Sequence, residues 1–221
     1  MGVTRKHSLL AGFAGLAILA ASPLLSQDPA AAKPKESAAL KAIAAQSGKY
    51  VGAKKCKMCH SKVGNTYGIW EKSKHAQAYK TLQGDEAKAI AKERGIEDPA
   101  KAPECLKCHV TAFAHLKDEK KVDKRFDITA GVQCETCHGP GGDHMKARMK
   151  AKSKLSADKL PEGLGGEMTL PDEQLCRSCH NEESPSYKEF KFAERLKAIA
   201  HLHPLRKEPR VAPPKKEAEA K

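Results

Sequence analysis

The stretch CETCHGPGGDH, residues 134–144, sets two cysteines and two histidines within eleven positions. His138 directly follows the second cysteine, and His144 comes six residues later, behind Gly139, Pro140, Gly141 and Gly142. The first five letters belong to a pattern, C-x-x-C-H, that occurs four times: CKMCH at 56–60, CLKCH at 105–109, CETCH at 134–138 and CRSCH at 176–180. These copies use all eight cysteines of the chain. The pentapeptide is the attachment signature of c-type haem. Two thiols separated by two residues add across the two vinyl groups of a haem, and the adjoining histidine serves as the proximal ligand of its iron. Paired cysteines also build tetrahedral zinc sites and, in exported chains, disulfides. Neither alternative calls for a histidine at one fixed offset in every copy.

Four covalently bound c-type haems are therefore expected, on Cys56 and Cys59, Cys105 and Cys108, Cys134 and Cys137, and Cys176 and Cys179, with proximal ligands His60, His109, His138 and His180. They are numbered 1 to 4 in that order. They also account for the composition: with 30% charged and only 5% aromatic residues, the 221-residue chain would form a poor core unless something besides side chains filled it. The formal charge of +13 is offset in the same way, since loss of Arg5 and Lys6 with a leader and gain of up to eight propionates leave about +3. No concentrated basic face remains, which excludes a nucleic-acid binder.

The ends of the chain read differently. Arg5, Lys6 and His7 precede an apolar run from Leu9 to about Ala21, then small residues and Pro23, the layout of a secretory signal peptide over residues 1–26. An uncleaved membrane anchor is the rival. No cysteine follows the run to accept a lipid. Export suits haem attachment, which takes place outside the cytoplasm, and a periplasmic location is expected. Residues 27–48, rich in Ala, Lys and Ser, read as a flexible tether with room for a short helix. Residues 205–221 read as a mobile Lys/Pro-rich tail. The tetrahaem domain is placed at 49–204.

The second axial position on each iron decides between electron transfer and chemistry. His75, His115, His144, His201 and His203 remain to fill it, with Met145, Met149 and Met168 as alternatives; Met145 and Met149 fall in a lysine-rich stretch that reads as a solvated helix. Six extended residues span only about 20 Å, barely enough to pass round a macrocycle, and Gly-Pro-Gly-Gly favours turning. His144 is thus expected to serve a haem other than that of His138. The same argument disfavours His115 as the partner of His109 and leaves it as a surface histidine. His75 is predicted on a helix with one apolar side, built from Ile69, Trp70, Ala76 and Tyr79, and Trp70 is expected to pack on a porphyrin. The stretch KEFKFAERLKAIAHLHP is predicted as a helix with Phe192, Leu196 and Ile199 on one stripe, ended by Pro204. That stripe extends to His203, while His201 points away in an ideal helix; either could swing onto the haem of His180.

Read together, YVGAKKCKMCH, W-x-x-x-x-H-A at residues 70–76, CLKCHV, GVQCETCHGPG with GDH, CRSCHN and the F-K-F helix ending in histidine resemble the tetrahaem cytochrome c-554 family over most of residues 49–203. The resemblance implies a mainly α fold with much irregular structure, wrapped round four closely packed haems. It implies His60 with His144 on haem 1, His75 with His138 on haem 3, His180 with His201 or His203 on haem 4, and an open sixth position on haem 2 at His109. An ungapped count from F-K-F favours His203, and relatives with an I-A-H ending favour His201. A ligating His115 would close haem 2.

The function expected on this basis is electron transfer between redox proteins through mostly bis-histidine haems. The resemblance implies transient contacts with a hydroxylamine oxidoreductase-like donor and a membrane or soluble cytochrome acceptor, with the lysines steering an acidic partner. No general base or nucleophile is in evidence. The alternative is an enzyme reducing nitric oxide or a related nitrogen species at an open haem 2. A third possibility is an assembly module within a larger multihaem complex.

Overall fold

The computed structural model describes residues 37–62, 64–151 and 167–201, all within one compact unit, Lys35–Lys221. The expected signal peptide, the tail and His203 lie outside the described residues. Ten short helices follow one another, α1 (Ala38–Ala44), α2 (Ala53–His60), α3 (Thr66–Glu71), α4 (Ala78–Thr81), α5 (Asp85–Glu93), α6 (Pro103–His109), α7 (Cys134–His138), α8 (Gly142–Lys150), α9 (Glu173–Arg177) and α10 (Phe192–Ile199). Two 3-10 turns, Phe113–His115 and Ile128–Ala130, interrupt the connections. The described residues contain no strand, and the single bridge joins Tyr50 to Val122. None of these helices is long and apolar enough to cross a membrane. The fold is mainly α and irregular, as expected.

The apolar clusters are small and lie beside the haem motifs. Ala53, Tyr67 and Trp70 pack together with Ala76, Ala130 and Cys134 against them. Leu82, Leu106 and Val110 form a second cluster, joined by Tyr79, Cys105, Phe113 and Leu116. The most deeply buried large side chains, Thr111, Gln133 and Glu135, are all polar. Buried polar groups must be hydrogen-bonded, and the bonds of these three hold the first three motifs to one another.

Two predicted helices are corrected, and the short helix allowed for in the tether is present. The helix predicted through His75 is broken: α3 ends at Glu71, α4 begins at Ala78, and His75 sits in the turn between. The break has a partner, because the His75 carbonyl accepts from the Val132 N–H (2.9 Å) and from Ala78 N–H (3.1 Å). A Cβ on Gly131 would lie 2.7 Å from that carbonyl oxygen, so only glycine permits the approach. The expected tether at 27–48 is ordered where it is described. Ser37 caps α1 by accepting from Leu40 N–H (2.9 Å). Asp172, the N-cap of α9, accepts from both the Ser37 hydroxyl (2.8 Å) and Ala39 N–H (3.0 Å). Lastly, α10 stops at Ile199 rather than at Pro204, with Ala200 extended (ψ 135°). The predicted helix thus breaks at Ala200, before His201.

Candidate haem sites

Each C-x-x-C-H begins within a short helix. Residues i and i+3 share a helix face, and i+4 lies beside them, so helical winding turns both thiols and the histidine of one motif to the same side. Helices α2, α6 and α7 end on their histidines, His60, His109 and His138, and α9 carries Cys176 with His180 just beyond it. Pro103 at the start of α6 suits a position whose N–H has no helical partner.

The histidine rings meet in pairs. His144 faces His60 with ring centres 6.2 Å apart, His180 faces His75 at 6.0 Å, and His201 faces His138 at 5.8 Å. Metal–imidazole bonds of about 2 Å on opposite sides of one iron, plus about 1 Å from each nitrogen to its ring centre, put two trans imidazoles roughly 6 Å apart. All three pairs match that spacing. Among the described residues no three Cys, His, Asp or Glu side chains converge as a protein-only metal cage requires. A haem iron asks for only two protein ligands, since the macrocycle supplies the rest, and pairs suffice.

Hydrogen bonds set the ring orientation. The Nδ1 atoms of His138 and Thr169 O are 2.9 Å apart, those of His109 and Ala78 O 2.7 Å, and those of His201 and Ile199 O 3.1 Å. A carbonyl accepts only from N–H, which places the proton on Nδ1 and leaves the Nε2 lone pair for a metal. Nδ1 of His60 is 3.2 Å from Thr66 Oγ1. Burial lowers the pKa of His138, His75 and His180, which keeps these rings neutral, as ligation demands. His180 also stacks flat on Phe190 (4.7 Å, 16°), and the Arg177 guanidinium lies over the Phe190 ring, 5.5 Å from its centre.

The ring neighbours differ from the pairs that the resemblance implies: His75 stands opposite His180, and His201 stands opposite His138. The end of α10 at Ile199, with Ala200 extended, takes His201 off the helical path, and the Val132 N–H bond to the His75 carbonyl fixes where the His75 turn can point. His115 is exposed and stacks on Tyr50 (5.8 Å, 23°); among the described residues no histidine ring faces His109. Met149 is 59% exposed.

A polar hub around CETCH was not foreseen. The Glu135 carboxylate, 1% exposed, accepts from Val51 N–H (2.9 and 3.1 Å), Gly52 N–H (2.7 Å) and Gly141 N–H (2.6 Å). Burial pushes its pKa up, and the three N–H donors pull it back. Gln133 accepts from Ala53 N–H at the start of α2 (2.7 Å), and its own N–H donates to Thr111 Oγ1 (2.6 Å). Trp70 Nε1 donates to Val132 O (2.8 Å), so the two ends of W-x-x-x-x-H both bind Val132. One segment, GVQCET, thus fastens CKMCH, the His75 turn, CLKCHVT and CHGPG together. Glycines complete the arrangement: a Cβ on Gly142 would come within 2.9 Å of Lys49 O, so the start of α8 sits directly on the segment leading into CKMCH. This close approach is what sets His144 against His60.

The attachment cysteines of different motifs also adjoin. The Cys56 thiol lies beside that of Cys134, and the Cys108 thiol beside that of Cys179. Cys137 lies near Cys176 and Cys179, its thiol pushed up to about 12 by burial. Lys107 pairs with Glu183 across the second and fourth motifs.

The family model described as Cytochrome c554 and c-prime matches residues 55–139, which hold three of the four motifs and the W-x-x-x-x-H turn. Cytochrome c-554 of Nitrosomonas europaea is 29% identical over 184 residues, 70% of this chain and 74% of its own length. Multiheme cytochrome MtrA of Shewanella baltica is 31% identical over 99 residues, 40% of this chain and 26% of its own. No solved structure gives a significant match. Repeated haem-attachment motifs on a helical scaffold without strands among the described residues, and likeness to these proteins, support a multihaem c-type cytochrome similar to the cytochrome c-554 family, one that holds haem covalently and transfers electrons.

Proposed function

We propose that this protein is a periplasmic tetrahaem electron carrier. Three irons lie between histidine pairs, His60 with His144, His75 with His180 and His138 with His201, and the fourth, on His109, keeps its sixth position open. The observation that carries this reading is the spacing of 5.8–6.2 Å shared by the three ring pairs. The haems, when bound, supply reversible one-electron chemistry.

What the chain itself contributes is position. The thiol neighbours order the sites as CKMCH, CETCH, CRSCH and CLKCH, so that the row begins at haem 1 and ends at haem 2. Nδ1 bonds to backbone carbonyls hold the ligating rings, and the Glu135 and Gln133 hub fixes haems 1 and 3 relative to each other. Rigid paired histidines leave little to rearrange when an electron arrives or leaves. Export is supported by the leader-like residues 1–26, and weak, transient docking of redox proteins suits a carrier. A hydroxylamine oxidoreductase-like donor and a cytochrome acceptor are the partners the family suggests.

A second reading, reduction of nitric oxide or a related species at haem 2, is favoured by one observation: His115 is engaged by Tyr50 and not by His109. Electron paramagnetic resonance of the oxidised protein tests both. The expected spectrum contains three low-spin bis-histidine signals and one high-spin signal that nitric oxide alters. A spectrum without high-spin iron, unchanged by nitric oxide, overturns the open site and the enzyme reading.

A further inference from the structure

Helix α8 carries three basic residues beyond its first turn, and they are not alike. Lys146 and Lys150 are exposed, whereas Arg148 is turned inward, and its Nη1 is fully buried with no hydrogen-bond partner among the described residues. A buried guanidinium N–H without an acceptor is unfavourable, and native proteins rarely leave one so. The nearby carboxylate on the same helix does not serve it: Asp143 is taken by Lys146 (3.3 Å) and Ser47 (3.5 Å).

The position of Arg148 says what is missing. It lies four residues after His144, on the same helix face, and helical side chains lean toward the N-terminus. Its guanidinium therefore reaches back along the turn that carries His144, whose ring faces His60. A haem held between those two rings brings its own carboxylates, two propionates, to that place, and a guanidinium binds a carboxylate through paired N–H donors. We infer that Arg148 is the binding residue for a propionate of haem 1. The inference rests on the pairing of His60 with His144 proposed above.

Arg148 would then hold a propionate and supply a positive charge near the iron, favouring the ferrous form. A unit charge about 10 Å away at an effective dielectric constant near 20 changes the equilibrium roughly tenfold, which for a one-electron couple equals about 59 mV. The test uses the full, matured protein carrying haem labelled with carbon-13 in its propionate carboxyls, read by reduced-minus-oxidised infrared difference spectroscopy and redox titration. Arg148→Leu is expected to shift one labelled carboxylate band and to move haem 1 about tenfold toward ferric. Arg148→Lys keeps the charge but not the paired donors, so the band shifts while the equilibrium moves less than threefold. If the leucine variant fails to mature, the band in the lysine variant decides. Labelled bands unmoved in every variant obtained, or a potential shift on a haem other than haem 1, overturn the inference. Haem 1 is identified as the one altered by His144→Met; if that substitution leaves all four haems unchanged, it is the histidine pairing that fails, whatever the bands do.

Discussion

Replacing Glu135 by alanine removes one acceptor from three buried N–H groups, those of Val51, Gly52 and Gly141. An unsatisfied buried donor costs about 1–3 kcal/mol, so three give roughly 3–9 kcal/mol. Part of this is returned, because burial itself disfavours the charge, and breaking a buried charged arrangement typically costs about 3–5 kcal/mol net. We therefore expect Glu135→Ala to lose about 3–5 kcal/mol in denaturant unfolding followed by circular dichroism. Glu135→Gln keeps one acceptor but aims an amide N–H₂ at donors, and should lose about 1–3 kcal/mol. Hydrogen exchange locates the effect: the Val51, Gly52 and Gly141 amides lose protection first. A loss below about 1 kcal/mol, or unchanged protection at those three amides, refutes the view that Glu135 fastens CKMCH to CHGPG.

Other consequences concern separate parts of the molecule. At Asp172 burial opposes ionisation, but the Ala39 and Leu175 N–H groups and the Ser37 hydroxyl more than compensate and hold the carboxyl below the usual aspartate range. Its stabilisation is thus complete above the unfolded value of about 4 and is lost as pH falls through the lower folded value. Asp172→Asn should cost about 1 kcal/mol at neutral pH and remove that acid-dependent component; wild-type and variant stability curves that run parallel from pH 6 to 2 would count against it. Gly142→Ala forces a Cβ to 2.9 Å from Lys49 O, a backbone clash worth about 1–3 kcal/mol, and should loosen His144, seen as partial high-spin character in the oxidised visible spectrum. Phe190→Ala empties the buried surface on which His180 stacks and should cost about 3–5 kcal/mol, with broadening of one low-spin signal; an unaltered spectrum would show that His180 needs no such support.

The haem attachment sites were legible because their chemistry is local: thiol, thiol and imidazole must be adjacent in sequence to reach one haem. The expectation that His144 serves another haem came from Gly-Pro-Gly-Gly, which limits what six residues can span. The ring neighbours of His75 and His201 were harder to read. They depend on where two helices stop, one fixed at a distance by Gly131 and Val132 against the His75 turn and one locally by the extended Ala200 after α10. Glu135 and Gln133 were missed for a similar reason. Glu135 is an intervening position of C-x-x-C-H and Gln133 precedes the motif; neither carries haem chemistry, and their burial emerges only when the Val51 to Ala53 segment folds onto them. Each ring pair joins residues far apart in sequence, so none of the three forms until the chain between them has folded.

The most direct test of the account is a crystal structure of the oxidised holoprotein with the axial ligands read at each iron. We expect His60 opposite His144, His75 opposite His180, His138 opposite His201, and no protein ligand opposite His109. His75 opposite His138, or His115 bound across from His109, would contradict it.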